Sequence, residues 1–355
     1  MSGMERNKTA VLVAGSWGTA LASVLADNGH AVKLWTRRPE HAAEINRTRQ
    51  NARFLPGAEL PATIEATSDM AEALAGARLV IFVPPSSAMR EVARLAAPHL
   101  EPGTLVAHAT KGFEGETLKR MSAVLSEELG VAEDDIVCLS GPSHAEEVIR
   151  RLPTTVVVAS RNMRLAEAAQ DYFMNNTYFR VYTNPDLIGV EISGAVKNVI
   201  ALGAGLSDGL GFGDNAKAAL ITRGLAEIAR LGVALGGNPL TYAGLAGVGD
   251  LIVTCTSRHS RNWRAGSMLA QGIPLDEVLE RMGMVVEGVR NTKTAYELAA
   301  RCGVEMPITA QLHAVLFEGK SPRQAVSDLM GRVRTHEIEE VATHMKTKRE
   351  PGRQP

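Results

Sequence analysis

Lys197 lies in an otherwise apolar and small stretch, Ile192-Ser193-Gly194-Ala195-Val196-Lys197-Asn198. On a helix, Ser193 and Gly194 precede it by four and three residues and share its face one turn back. Their small size leaves a notch over which the lysine reaches. Burying its ammonium group is costly and would push its pKa toward neutrality, which suits a proton donor. The alternative is a lysine that snorkels to the surface. Asp250, in Gly247-Val248-Gly249-Asp250-Leu251-Ile252-Val253-Thr254, either orients such a lysine or caps a helix or turn. The next segment runs from Cys255 to Asn262 and gathers hydroxyls, two arginines and an asparagine just before a helical pattern. Ser260 is a natural N-cap. The N–H groups beyond it and the fork of Arg261 would cradle a phosphate. The plainer reading is a capped helix start with surface arginines. Glu287, in Val285-Val286-Glu287-Gly288, either contacts a cofactor ribose or amide, or is an ordinary loop residue before a helix.

A second constellation opens the chain. The apolar run Thr9-Ala10-Val11-Leu12 reads as a buried strand, and Thr19 to Asn28 reads as a helix stopped by Gly29. Between them lies Val13-Ala14-Gly15-Ser16-Trp17-Gly18. A tight turn into a helix N-terminus favours anions, and a dinucleotide pyrophosphate is the usual one. Gly15 and Gly18 occupy the second and third positions of the G-x-G-x-x-G fingerprint, but Val13 stands at the first. A β-branched residue fits that turn poorly. The dinucleotide is therefore expected to bind less tightly than it would to a Val13→Gly variant. After the second strand, Ala31 to Thr36, come Arg37 and Arg38 where a carboxylate would hold the ribose hydroxyls of NAD. Two guanidinium groups suit the 2′-phosphate of NADP; a solvated pair at a helix start is the other reading.

Composition narrows the class. The 355 residues imply two domains, and 45% apolar content is ordinary for a globular chain. Lys plus Arg number 38 against 39 Asp plus Glu, for a net charge of −1. That balance argues against nucleic acid or an anionic membrane as the main partner. Residues 1–8 have no apolar signal core, and no run is expected to span a bilayer, so the cytoplasm is the expected compartment. Cys138, Cys255 and Cys302 are far apart and offer neither a disulfide framework nor a zinc signature. No metal is expected.

Elements that position these groups follow from periodicity. Apolar runs at 78–83, 103–109, 136–139, 154–159 and 178–182 read as strands. Helical patterns at 70–77 and 163–174 alternate with them, and 51–61 reads as a loop. Such alternation predicts an α/β Rossmann domain, a doubly wound sheet, over residues 1–184. Arg37, Pro84, Lys111 and Ser143 all arrive at the carboxyl ends of strands, where ligands bind. Beyond Asn184-Pro185 the periodicity is helical, at 187–206, 217–235, 261–271, 275–282, 292–302 and 306–317. An all-α substrate and catalytic domain over 185–340 is predicted. Residues 341–355, with His344 and close to His336, read as a basic, disordered tail.

Taken in order, these stretches resemble the bacterial-type NAD(P)-dependent glycerol-3-phosphate dehydrogenases over residues 8–335. The resemblance rests on Ala14 to Ala22, Ala109 to Gly112, Leu139 to Ser143, Glu191 to Asn198, Gly247 to Asn262 and Val285 to Gly288. It implies a cleft between the two domains and reversible hydride transfer between NAD(P)H and dihydroxyacetone phosphate. The product would be sn-glycerol 3-phosphate for phospholipid synthesis. It implies Lys197 as general acid/base, Lys111 as a second lysine at substrate and cofactor, and Asp250 as the residue that contacts substrate and holds Lys197. Gly141, Ser143, Ser260, Arg261 and Asn262 would hold the substrate, the last three near its phosphate. Gly15, Ser16, Trp17, Gly18, Arg37, Arg38, Lys111, Ala145, Arg261, Val285 and Glu287 would serve the cofactor, NADP or NAD. Val13 and His144 depart from the family pattern, which has glycine and usually phenylalanine there. A homodimer is the expected assembly. Two rival functions stand beside this one: a catalytically silent NAD(P)H-binding sensor, and a related hydroxyacid dehydrogenase.

Overall fold

The computed structural model describes residues 7–334. The expected tail at 341–355, His336 and His344 lie outside them. Two compact units divide the chain, Met1–Gly194 and Ala195–Pro355.

The first unit alternates strand and helix. Strands β1 (Lys8–Leu12), β2 (Ala31–Trp35), β3 (Ile64–Thr67) and β4 (Leu79–Phe82) are interleaved with helices α1 (Ser16–Asp27), α2 (Pro39–Thr48) and α3 (Met70–Leu74). Helix α4 (Met89–Ala96), β5 (Leu105–His108), α5 (Met121–Leu129), β6 (Val137–Ser140) and α6 (Ala145–Val148) follow. Strand β7 (Thr154–Ala159), α7 (Met163–Phe173) and β8 (Phe179–Asn184) complete the sheet. Its order is β3-β2-β1-β4-β5-β6-β7-β8. All neighbours are parallel except β6 and β7.

Strands β4, β5 and β6 are buried along their whole length, because helices cover both faces of a parallel sheet. Val11 and Ile81 pack with Leu21 and Leu25 of α1 on one face. Ala10 and Phe82 pack with Met89 and Val92 of α4 on the other, as the two-residue period requires. Strand β3 was not legible in the sequence. It is a four-residue edge strand in which Glu65 is exposed, too short to show alternation. Parallel pairing brings the carboxyl ends of β1, β2, β4, β5 and β6 to one edge. Arg37, Pro84, Lys111 and Ser143 follow at that edge, as expected, and so does the glycine turn.

The second unit is helical. Helix α8 (Leu187–Gly209) runs through the division, followed by α9 (Gly213–Ala234), α10 (Asp250–Thr256) and α11 (Arg261–Ala270). Helices α12 (Leu275–Met282), α13 (Glu287–Cys302), α14 (Pro307–Phe317) and α15 (Pro322–Met330) complete it. Among the described residues beyond Asn184 there is no strand. Glycine brings α8 and α11 backbone to backbone: a methyl group at Gly205 would lie 1.9 Å from the Trp263 carbonyl oxygen. One expectation is corrected. Helix α8, 23 residues long with mean hydropathy 1.5, is long and apolar enough to cross a bilayer. Its apolar window is wholly buried, and a helix that is hydrophobic all round also fits a protein core.

Candidate active site

Val13 holds its backbone at φ +88°. That is the left-handed region, which the missing glycine would enter without strain. Its amide and that of Ala14 both donate to the Trp35 carbonyl at 3.0 Å, which closes the turn. Gly18 is required by the same turn, since a methyl group there would meet the Val13 carbonyl oxygen at 2.2 Å. Gly15 is the N-cap of α1, and no side chain caps the helix. Its first turn contains no acidic residue, and a methyl group at Gly15 would have open space around it. This helix end fits a pyrophosphate: amide donors, a positive dipole end and room for close approach.

The turn is braced by a segment the sequence showed only as a polar loop. The Asn51 amide donates to the Ala14 carbonyl at 3.0 Å and to Thr19 Oγ1 at 2.8 Å. Ser16 Oγ donates to the Phe54 carbonyl at 3.0 Å. Nothing in local periodicity signals these contacts. Trp17 packs against the core that contains α1, and Ala145 is buried at the start of α6. His144 is the N-cap residue of α6, and its side chain makes no cap bond. Arg37 is exposed and pairs with Glu91 at 3.0 Å, while Arg38 is the exposed N-cap residue of α2.

The left-handed backbone of Val13 adds an expected effect on folding to the one on binding. Valine already adopts the turn that the fingerprint needs, so its cost falls on the folded state. A β-branched residue in this region costs about 1–3 kcal/mol. Val13 also packs against the core of β1, β4 and α4, a contact worth about 1 kcal/mol that glycine would lose. Val13→Gly is expected to raise stability by up to about 1 kcal/mol. The gain in dinucleotide affinity should stay within about twofold, because the donor geometry is unchanged. Thermal unfolding and a fluorescence titration with NADPH check both; a large gain in affinity would place the main effect in binding.

Lys111 follows β5. Its Nζ donates to the Gly141 carbonyl at 3.0 Å, and Ser143 Oγ donates to the same carbonyl at 2.8 Å. Lys111, Gly141 and Ser143 are thus brought together. The notch at Gly194 faces groups of the first unit. A methyl group at Gly194 would lie 3.2 Å from Ser140 Oγ and 3.4 Å from Lys111 Cγ, so both side chains face it.

In the second unit Lys197 is buried, at 5% exposure, and does not snorkel to the surface. Its Nζ donates to Asp250 Oδ1 and, at 2.8 Å, to Thr254 Oγ1. Asp250 is 1% exposed and opens α10, while Thr254 sits one turn on and donates back to the Asp250 carbonyl. The carboxylate therefore holds the lysine and makes no cap bond to α10, whose N-cap residue is Gly249. Thr254 was not singled out, although its i+4 spacing from Asp250 was visible.

Ser260 caps α11 as expected, its Oγ accepting from the Trp263 amide at 3.2 Å. Asn262 is buried. Its Nδ2 donates to Asn198 Oδ1 at 2.8 Å, and its Oδ1 accepts from the Gly288 amide at 2.8 Å. It thereby ties α11 to α8 and to the first turn of α13. Glu287 is the first residue of α13 and not a loop residue, and Arg261 Nη1 reaches the Val285 carbonyl at 3.4 Å. Ser260, Arg261, Asn262, Val285 and Glu287 therefore converge through Asn262 and α13. A cavity of about 390 Å³ elsewhere in this unit is lined mainly by apolar groups such as Leu206, Leu220, Leu312 and Leu329, and none of the expected site residues lines it. Among the described residues no cluster of His, Cys, Asp or Glu could hold a metal ion.

A doubly wound sheet with an anion-ready helix end, joined to a helical unit with a buried Lys–Asp pair, defines the class of two-domain NAD(P)-dependent oxidoreductases. The comparisons narrow it. The profile of the NAD-dependent glycerol-3-phosphate dehydrogenase N-terminus matches residues 8–166, and that of its C-terminus matches residues 186–327. The chain belongs to the NAD-dependent glycerol-3-phosphate dehydrogenase family. It is 61% identical over 331 residues to a glycerol-3-phosphate dehydrogenase (NAD(P)+) of Geobacillus thermodenitrificans, covering 93% of this chain and 96% of that one. The corresponding protein of Geobacillus kaustophilus is 63% identical over 333 residues, with 94% and 96% covered. A crystal structure of glycerol-3-phosphate dehydrogenase from Coxiella burnetii superposes with a TM-score of 0.87 at 41% identity, covering 92% of this chain and 99% of that one.

Proposed function

We propose that this chain catalyses reversible reduction of dihydroxyacetone phosphate to sn-glycerol 3-phosphate for phospholipid synthesis, with Lys197 as general acid/base. The observation that carries the acid/base assignment is the buried Lys197 held by Asp250 and Thr254. A nicotinamide, when bound, supplies or accepts the hydride. Reduction leaves negative charge on the former carbonyl oxygen. Lys197 Nζ holds the proton that this oxygen takes up, and recovers it in the reverse direction. Asp250 and Thr254 fix Nζ and limit its rotation. The Lys111 ammonium stabilises the same developing charge. Gly141, Ser143, Ser260, Arg261 and Asn262 hold the substrate, and binding at the remote phosphate fixes its orientation. The turn from Gly15 to Gly18, with Arg37, Arg38, Ala145, Val285 and Glu287, serves the dinucleotide.

Oxidation of NADPH and NADH with dihydroxyacetone phosphate tests this reading. Cofactor binding without turnover would favour a silent sensor, and turnover only with a keto acid would favour a hydroxyacid dehydrogenase. The exposed pair Arg37 and Arg38 supports use of NADP. Replacing both by alanine is expected to raise KM for NADPH by about tenfold and to leave NADH nearly unchanged. One charge-assisted bond to a 2′-phosphate is worth about 1.5–3 kcal/mol, reduced here by solvent and by Glu91. Equal effects on both cofactors would remove the 2′-phosphate role. The reading includes a cytoplasmic homodimer; exposed Leu240 and Met330 supply apolar surface for a second copy, and light scattering tests the assembly.

A further inference from the structure

Glu191 lies on α8, at 6% exposure, and takes no part in the chemistry above. Its carboxylate accepts from the Ser122 amide at 2.8 Å and from Ser122 Oγ at 2.7 Å. Arg120 Nη1 donates to it, and His108 Nε2 stands 3.2 Å away. Arg120 is the N-cap residue of α5 and Ser122 lies in its first turn, so Glu191 is the anion at that helix end. His108 ends β5, three residues before Lys111. The first turns of α8 are therefore pinned to both β5 and α5.

Gly194 lies three residues after Glu191, on the same face of α8. Its missing side chain leaves room for Ser140 Oγ and the stem of Lys111, which an added Cβ would meet at 3.2 and 3.4 Å. The tip of that lysine is fixed separately by the Gly141 carbonyl. A Cβ at Gly194 would press first on Ser140 Oγ, at 3.2 Å, and would meet Lys111 Cγ at 3.4 Å, so a small shift of α8 toward them would crowd both side chains. We propose that Glu191 and Gly194 are positioning residues for Lys111, with Glu191 fixing the register of α8 and Gly194 giving the lysine its path. The inference rests on Lys111 serving the reaction proposed above.

The test is a double-mutant cycle on kcat/KM for dihydroxyacetone phosphate with NADPH. Its members are the parent, Gly194→Ala, Lys111→Met and the double variant. Parent turnover and a loss in Lys111→Met establish first that the reaction reading holds. Gly194→Ala is then expected to lower kcat/KM about tenfold in the parent, a loss of the kind caused by a small misplacement. In the Lys111→Met background it should change kcat/KM by less than twofold. Glu191→Gln, assayed well below its unfolding midpoint, should show the same dependence on Lys111. Equal losses in both backgrounds would overturn the proposal, because a merely structural role multiplies through whether or not the lysine is present. No effect of Gly194→Ala in the parent would overturn it as well.

Discussion

Replacing Lys197 by alanine is expected to lower kcat for dihydroxyacetone phosphate reduction by about a thousandfold or more. General acid catalysis contributes about 10²–10⁴-fold, and the lost positive charge beside a developing oxyanion adds to it. NADPH affinity should not change, because the helix end at Gly15 to Gly18 does not depend on Lys197. The substitution also removes the ammonium counter-charge of Asp250, which is 1% exposed. Breaking a buried pair from one side costs about 3–5 kcal/mol, so the unfolding midpoint falls as well. Steady-state kinetics at 25 °C, with folding checked by circular dichroism, separates the two effects. A folded variant that keeps a tenth of the parent kcat would remove Lys197 from the proton transfer.

Glu191→Gln is expected to cost about 3–5 kcal/mol of stability, which lowers the unfolding midpoint on the order of 10 °C. The substitution keeps the shape and removes the charge that faces Arg120 and His108. Burial alone would push the Glu191 carboxyl up, but the His108 ring, the Arg120 guanidinium and Ser122 outweigh it and lower its pKa to about 2. A carboxyl with a lowered folded-state pKa stabilises the protein above its unfolded-state pKa. That stability is lost as pH falls toward about 2. The parent should therefore lose stability between about pH 4.5 and pH 2, and Glu191→Gln should lose less over the same range. Denaturant titrations at pH 7, 4 and 3 measure both claims. Parallel acid profiles for the two proteins would show that Glu191 is not held ionised by the fold.

The sequence by itself determined the alternation of strands and helices, because periods of two and 3.6 residues are written locally. It determined the switch to helix after Asn184, the N-cap at Ser260 and the arrival of Lys111 and Ser143 at one sheet edge. Through the order of its motifs it also determined the family. Local cost was legible too: a β-branched residue at the first fingerprint position signalled strain, and the structure shows φ +88° at Val13. Only the tertiary structure decided which groups meet. The notch at Gly194 was visible, but not that Ser140 and Lys111, distant in sequence, would face it. Asp250 could cap or orient, and in the fold its carboxylate holds Lys197 while Gly249 is the N-cap residue of α10, with no side-chain cap bond. Asn51 bracing the cofactor turn and Asn262 joining three helices left no local mark, since each partner lies far away along the chain. Local propensity depends on a residue and its near neighbours. Pair contacts between elements depend on how whole helices and strands bury their apolar faces, and that is settled only when the chain packs.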